Sequence, residues 1–394
     1  MKKIIAICLL IYAALVCGHM AFAEEDDLEM YSFLYGISET NTDQLKILET
    51  MRDQNISGAG DFYAKALHRL VNGYSNIVGA TQLDAADKQA VILSIFVGNE
   101  KNGASAQDLW QVVIRFKDPI ARAEALAALG KVHARIYLPH IVRILTDLNN
   151  LTAQDMLYSE RIAYGAITAL KNYAEPECYL PVYFASIGWY PDWVRNLAAE
   201  SLPAITNDPS PFMSEIINSP GYEFKVKYAA LQNTEASGMD NEKKAVLAFD
   251  ALREAWLAYT YDLRQNVTMG ELRKLALKMI GKYGAPDTSV YPLMERSCVE
   301  GLGITEKEDA INALKRLAND DAAKVLSKLL MKMNIKLKSD LLTHEDHHLV
   351  RLIIPALGSI KSQVAIASLN ATISSDWPSF VKFLAQNALR QIRG

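Results

Sequence analysis

A helix-pair unit that recurs along the chain constrains the fold more than any other feature of this sequence. In its clearest copy, residues 118–145, Asp118 is suited to cap a helix that begins at Pro119, and Gly130 is suited to a left-handed exit. A second helix follows, with apolar side chains at i, i+3, i+4 and i+7, namely Leu138, Ile141, Val142 and Leu145. The unit therefore predicts two amphipathic helices joined by a short link.

Similar units follow as far as the last residues of the chain. One apolar position can be taken as equivalent in seven of them, at Leu129, Leu170, Leu202, Leu231, Ile280, Leu317 and Leu357. Successive positions are 29 to 49 residues apart, which is the range of helical solenoids. Alternating runs of Val, Ile or Thr, which would indicate strands, do not compete with this pattern. The sequence therefore predicts an all-α superhelix of antiparallel helix pairs.

One unit carries the pattern D-P-x-x-R-x-x-A-x-x-A-L-G over residues 118–130, followed by L-P-x-I over residues 138–141. This pattern resembles a HEAT repeat of the short bacterial type, and the resemblance covers roughly residues 105–394. It implies stacked helix pairs in a right-handed superhelix, with the Asp and Arg positions forming a ladder between successive repeats. It therefore implies a structural role for the arginines at that position, which are Arg122, Arg161, Arg195 and Arg273.

Residues 1–23 have the features of a secretory signal peptide. Two lysines precede an uncharged apolar run over residues 4–16, which is too short to span a bilayer, and an Ala-x-Ala sequence ends at Ala23. We expect cleavage after Ala23. Lipoprotein processing at Cys17 is the alternative, but a valine precedes this cysteine where a small residue is expected. A retained membrane helix is the third reading.

Export changes the charge of the mature chain. Removal of residues 1–23 takes away two lysines and no acidic residue, so the net charge of −4 becomes −6. A mildly acidic exported protein is a poor candidate for nucleic-acid binding, which depends on a basic surface. No later stretch reaches the ~18 apolar residues of a membrane span. We therefore expect a periplasmic or secreted protein without a transmembrane segment in the mature chain.

The sequence divides into three predicted segments. The signal peptide covers residues 1–23, an N-terminal helical cap of degenerate repeats covers residues 24–104, and the HEAT-like array covers residues 105–394. The middle segment has apolar spacing typical of helices but lacks the repeat pattern. Because terminal units of a repeat array need a polar outer face, we interpret this segment as the cap.

One metal-binding motif occurs, where His344 and His348 satisfy H-E-x-x-H. In a zinc peptidase the two histidines lie one turn apart on a helix and bind the metal, while the glutamate activates water. Alignment of the repeats instead gives Asp346 the capping position of Asp118, so that His344 would precede the helix. We expect no metal centre and a solvated turn between repeats, with His344, His347 and His348 as the ligands if a metal binds here.

The cluster Trp189, Tyr190 and Trp193 is the other candidate site, because Trp and Tyr dominate binding hot spots. We favour packing over helix ends for these rings. Nothing resembles a nucleophile elbow, a phosphate loop or a Cys-x-x-Cys pair, so no catalytic residue and no cofactor is predicted. Cys178 and Cys298 lie about three repeats apart, which predicts two unpaired thiols.

These observations favour a non-enzymatic scaffold of the bacterial cell envelope that presents a concave solenoid surface to a protein partner. An enzyme or a small-ligand binder that uses the solenoid groove is the alternative, because some HEAT-like bacterial proteins are chromophore lyases or DNA glycosylases. Both activities belong inside the cell, and the signal peptide counts against them. A purely architectural envelope spacer is a third hypothesis.

Overall fold

The computed structural model describes residues 27–54, 56, 58–151, 158–258 and 261–394. Every regular element within these ranges is a helix, which confirms the all-α prediction. The predicted signal peptide and the lipoprotein cysteine lie outside the described residues. Within the described ranges, no helix combines the length and the apolar character that crossing a membrane requires.

The chain divides into two compact units, Met1–Thr206 and Asn207–Gly394. The first contains α1 over residues 27–37, α2 Asn41–Asp53, α3 Gly60–Gly73, α4 Ala80–Asn99, α5 Ala106–Arg115, α6 Pro119–Lys131, α7 Leu138–Asn149, α8 Ser159–Tyr173, α9 Tyr179–Ile187 and α10 Asp192–Ile205. The second contains α11 Ser210–Asn218, α12 Phe224–Ala236, α13 Asn241–Leu257, α14 Leu263–Tyr283, α15 Val290–Glu300, α16 Gly303–Leu317, α17 Asp320–Lys338, α18 His344–Ile360, α19 Ile366–Ser374 and α20 Ser379–Arg393.

Within each unit the helices lie in two layers. Each even-numbered helix contacts the next one, from α2 to α10 in the first unit and from α12 to α20 in the second. The odd-numbered helices form the other layer, and consecutive helices such as α5 and α6 or α13 and α14 join the layers. Each unit is therefore a stack of helix pairs, which is the solenoid arrangement that the recurring unit predicts.

Helix α6 begins as its sequence predicts but ends differently. The side chain of Asp118 accepts a hydrogen bond from the Ala121 amide at 2.8 Å, and Pro119 occupies the first turn. The prediction of a left-handed exit at Gly130 is wrong, because α6 continues to Lys131 and the positive φ falls on His133. Gly130 is instead a buried helical residue.

The glycines of the even-numbered helices let neighbouring helices approach closely. A Cβ atom on Gly130 would lie 2.5 Å from the Cα of Ala169, and one on Gly165 would lie 2.2 Å from the carbonyl oxygen of Ala123. Similar contacts of about 3 Å recur between consecutive even-numbered helices, at Gly98 with Ala128, Gly281 with Ala313 and Gly358 with Ala388. The close approach of the neighbouring helix therefore leaves little room for a side chain at these positions.

The positions that the sequence analysis equates all lie on even-numbered helices, as a helix-pair repeat requires. Leu129, Leu170 and Leu357 are fully buried, but Leu317 is only half-buried. Leu314, one turn earlier, is fully buried and follows Ala313, as Leu170 follows Ala169. The equivalent position in this repeat is therefore Leu314.

Two of the predicted ladder arginines pack between helices, Arg122 half-buried and Arg273 buried. Arg122 donates from Nε to the carbonyl oxygen of Val113 at 2.8 Å, and burial lowers its pKa. Arg273 pairs with Glu306 through two contacts, from Nε to Oε1 at 2.6 Å and from Nη2 to Oε2 at 2.9 Å. Because Arg273 lies on α14 and Glu306 on α16, this pair joins successive repeats.

Both cysteines in the described residues are free thiols, as the sequence predicts, and both are buried. Burial raises the pKa of Cys178 to about 11. Cys298 is desolvated as well, and its pKa is raised further. Neither thiol is therefore set up as a nucleophile, which requires a lowered pKa.

Candidate interaction surface

Trp189 and Tyr190 lie in the link between α9 and α10 and pack inward. The indole Nε1 of Trp189 donates to the carbonyl oxygen of Leu148 at 3.1 Å, and the Tyr190 hydroxyl donates to Oδ1 of Asn149 at 3.0 Å. The two rings lie 4.2 Å apart, and Tyr190 is almost fully buried. These two side chains therefore hold the link against the end of α7.

Trp193, three residues further on, points outward from the first turn of α10. Its side chain is 40% exposed and lies beside two exposed residues of α8, Arg161 and Tyr164. The guanidinium of Arg161 lies 5.0 Å from the centre of the Trp193 ring, and the Tyr164 ring lies 5.6 Å from it. We call these three residues the α8–α10 patch. It brings together Trp, Tyr and Arg, the side chains most enriched in binding hot spots.

The two helices that carry the patch are packed firmly against the rest of their unit. α8 packs on α6 through the close contact at Gly165, and Val194 and Ala198 of α10 are fully buried. The ring of Trp193 is also held from the side by Arg161, in the geometry of a cation–π contact. A surface of this kind loses little conformational entropy when a partner covers it.

Sequence reasoning missed Arg161 and Tyr164 as members of this surface. The resemblance to HEAT repeats implies a structural position for Arg161, and its contact with Trp193 does join successive repeats, but on an exposed face. Tyr164 follows Arg161 by three residues, and this spacing places both on one face of α8. The signal was present in the sequence, but only the fold shows that Trp193 lies beside it. Arg195 is likewise exposed and pairs with Asp192.

The histidine motif lies on a helix, contrary to expectation. α18 begins at His344 and is capped by Thr343, whose side chain accepts a hydrogen bond from the Asp346 amide at 3.1 Å. The prediction that Asp346 caps the helix and that His344 precedes it is therefore wrong. His344 and His348 are one turn apart on α18.

The side chains of this motif contact residues outside α18. His348 contacts Glu308 of α16 through Nε2 and Oε1, and the His347 ring packs edge-on against Trp377 at 5.6 Å. The glutamate of the motif, Glu345, pairs with Lys307 at 2.8 Å. In the parts of the chain that the structure describes, no group of three or more His, Cys, Asp or Glu residues is placed to hold a metal ion.

Asp346 contributes to the cap of α18 from within the first turn of the helix. Its carboxylate accepts hydrogen bonds from the Thr343 amide and hydroxyl, at 2.9 and 3.0 Å, and from Lys336 Nζ at 2.9 Å. Burial acts to raise the pKa of Asp346, but these hydrogen bonds and the lysine charge outweigh it and hold the pKa below its ordinary value. Thr343 and Asp346 thus form a reciprocal capping box.

A groove of about 370 Å³ lies between α1 and α3 in the first unit. Its lining combines both signs of charge with aromatic rings, at Glu29, Asp61, Lys65, Arg69, Tyr35 and Phe62. The Tyr35 hydroxyl donates to Oε1 of Gln89 at 2.9 Å, and Arg69 reaches the carbonyl oxygen of Gly36 at 3.4 Å. Such a lining suits a small polar molecule, and it does not bring a nucleophile and a histidine base together.

No protein family model matches the chain. No curated protein is similar to it. Among solved structures, an engineered protein is similar over 93% of this chain and 99% of its own, with 16% identity and a TM-score of 0.37. Human deoxyhypusine hydroxylase in complex with glycerol is similar over 95% of this chain and 98% of its own, with 12% identity and a TM-score of 0.23. Importin beta is similar over 94% of this chain and 54% of its own, with 11% identity and a TM-score of 0.32. Likenesses this low assign neither a family nor a function to the chain.

Proposed function

We propose that this protein is an exported, non-enzymatic scaffold of the bacterial cell envelope, of HEAT-like construction, that binds a protein partner. The observation that carries the proposal is the α8–α10 patch, in which an exposed Trp193 lies beside Arg161 and Tyr164. Stacked helix pairs offer extended rigid surfaces on which such a patch can act as an anchor.

The binding free energies that such side chains typically contribute support a protein partner for this patch. Truncation of a hot-spot Trp, Tyr or Arg typically weakens a complex by ~2 kcal/mol or more, whereas most other interface residues contribute less than ~1 kcal/mol. A cluster of all three on adjacent helices can therefore carry much of the binding free energy of a complex.

The proposed location rests on the first 23 residues and on the charge of the chain. The basic start, the short apolar run and the Ala-x-Ala sequence that ends at Ala23 are the features of a cleaved signal peptide. The net charge of −4 does not favour nucleic-acid binding, which depends on a basic surface. The proposed partner is accordingly a protein of the periplasm or the cell exterior.

A crosslinking experiment in cells tests the proposal. A photoreactive phenylalanine analogue in place of Tyr164 should yield one discrete crosslinked species from envelope fractions, and mass spectrometry would identify the partner. Once the partner is purified, Trp193→Ala should weaken its binding by roughly 30-fold, since ~2 kcal/mol corresponds to that factor at 25 °C. Calorimetry or surface plasmon resonance would measure it.

Ile136→Ala is the matched control, because Ile136 is a highly exposed apolar residue in the same unit that lies outside the patch. Binding by this variant should stay within about twofold of the parent. Recovery of only uncrosslinked monomer from envelope fractions would overturn the proposal, as would equal binding by Trp193→Ala and the parent protein.

A further inference from the structure

Helix α1, the first helix in the described residues, exposes a stripe of apolar side chains. Inner repeats bury both faces against neighbours, and terminal repeats need a polar outer face to remain soluble. α1 instead exposes four apolar residues at i, i+3, i+4 and i+7, which are Met30, Phe33, Leu34 and Ile37. Phe33 is 66% exposed. This stripe differs from the polar outer face that the sequence analysis expects of the N-terminal cap.

The opposite face of α1 packs against the first unit and so determines which way the apolar stripe faces. Tyr35 is buried, donates its hydroxyl proton to Gln89 of α4, and packs edge-on against Phe62 of α3 at 5.4 Å. Tyr31 bonds to Gln54 at the end of α2 at 2.9 Å. Since the tyrosines turn inward, the apolar stripe faces away from its own unit.

The last helix, α20, exposes a second apolar surface. Phe380 and Phe383 are 56% and 55% exposed and lie one turn apart. The inner face of α20 is buried against α18 and α19 through Val381, Ala385, Ala388, Leu389 and Ile392. Arg351 of α18 lies 5.9 Å from the Phe380 ring. α20 is therefore a packed helix that leaves more than half of each of these two aromatic side chains exposed.

The two exposed surfaces carry opposite charge. Residues 27–37 contain two exposed acids, Asp27 and Glu29, and no basic residue. α20 contains Lys382, Arg390 and Arg393 and no acidic residue. Contact between two copies of the same surface would bring like charges together, whereas contact between α1 and α20 brings opposite charges together around an apolar centre.

We propose that copies of this chain associate head to tail, with α20 of one copy packed on the α1 stripe of the next. The contact joins two different surfaces, so it leaves one free surface at each end and leads to an open chain of copies or a closed ring. This assembly is independent of the partner proposed for the α8–α10 patch.

Sedimentation velocity of the purified protein over a range of concentrations tests the association. We expect the average mass to rise with concentration beyond that of a dimer, and to fall as salt is raised because exposed charges are screened. Phe33→Glu and Phe383→Glu should each lower the association constant by at least about tenfold. Val246→Glu, at an exposed apolar site on α13, should leave it unchanged. Circular dichroism would confirm that all three variants fold.

A mixing experiment distinguishes this geometry from the others. The Phe33→Glu chain keeps a working α20 and the Phe383→Glu chain keeps a working α1, so an equimolar mixture should form a one-to-one dimer and nothing larger. A monomer at every concentration would overturn the proposal. So would a dimer that only Phe33→Glu abolishes, which would indicate pairing of two α1 stripes, or assembly that survives both substitutions.

Discussion

Two junctions between even-numbered helices solve the same packing problem differently. Between α6 and α8 the backbones touch, because Gly130 lies against Ala169 and Gly165 lies against Ala123. Between α14 and α16 one such contact recurs, at Gly281 and Ala313, but the junction also contains the buried pair Arg273–Glu306. The first junction depends on the absence of side chains, and the second depends on charges that satisfy each other.

The charged junction is hydrogen-bonded throughout. Beyond its pairing with Arg273, Glu306 accepts a hydrogen bond from the Leu302 amide at 2.8 Å. Arg273 also donates to the carbonyl oxygen of Ala255 at 3.3 Å and lies 4.2 Å from the centre of the Trp256 ring. Such a network adds little net stability relative to an apolar replacement, but it tolerates no partial removal. We therefore expect an added side chain to destabilise the α6–α8 junction, and removal of one charged side chain to destabilise the α14–α16 junction.

The largest effect is expected from Glu306→Ala, which leaves the Arg273 guanidinium buried without its partner. We expect the free energy of unfolding of the second unit to fall by about 3–5 kcal/mol. Replacement of both partners by apolar residues, Arg273→Met with Glu306→Leu, should cost clearly less, because no unpaired charge remains buried. Denaturant unfolding, with hydrogen exchange of α14 and α16 as a local readout, would measure both.

Glu300→Ala is the control for this comparison, because Glu300 pairs with Arg296 on an exposed face of α15. Exposed pairs one helical turn apart contribute ~0.5 kcal/mol or less. If Glu306→Ala costs no more than this control, or if the double variant is as unstable as the single one, the buried pair does not have the role assigned to it.

The next effect is expected from Gly165→Ala in the first unit. Alanine is favoured over glycine within a helix by ~1 kcal/mol, but the new Cβ would lie 2.2 Å from the carbonyl oxygen of Ala123. Backbone cannot move aside as a flexible side chain can, so α6 and α8 must separate, at a net cost of about 1–3 kcal/mol. The same substitution at Gly73, with nothing within 4 Å of a Cβ, should be neutral or slightly stabilising. An equal response at both glycines, measured by denaturant unfolding, would contradict the packing role.

The sequence predicts those parts of the fold that depend on short stretches of chain. The Asp118 cap and the Pro119 start of α6 are local, and so is the apolar spacing that places Leu129 in the core. The role of Gly130 could not be predicted in this way, because it depends on Ala169 of the next repeat. A glycine near the end of a helix matches a left-handed exit and a close contact equally well.

The candidate surface shows the same limit. Trp189, Tyr190 and Trp193 are similar in sequence, yet the first two bond to the end of α7 and the third is exposed beside α8. Which ring points inward depends on how the link after α9 turns, and this follows from packing between repeats. At α18 the local signal is present in the sequence, since Thr343 followed three residues later by Asp346 has the spacing of a capping box. Alignment of Asp346 with Asp118 led instead to the wrong helix start.

The smallest effect is expected from Asp346→Asn. This substitution tests whether the charge of the Asp346 carboxylate makes the stability of the second unit depend on pH. The folded pKa of Asp346 lies below its ordinary value of 3.8, so the carboxylate stabilises the fold above that value, and the stabilisation is lost as pH falls through the folded pKa. Loss of the charge facing Lys336, with part of the capping box retained, should cost about 1 kcal/mol at pH 7.

The difference between Asp346→Asn and the parent protein should be smaller at pH 3 than at pH 7, because below the ordinary pKa of 3.8 the carboxyl of the unfolded chain takes up a proton and ionisation favours the folded state less. Thermal or denaturant unfolding at pH 7 and pH 3 would measure this. Asp376→Asn, at an exposed position in the same unit, should change the free energy of unfolding by less than ~0.5 kcal/mol at either pH. A loss at Asp346 that is the same at both pH values would show that shape, and not charge, is what Asp346 contributes to the start of α18.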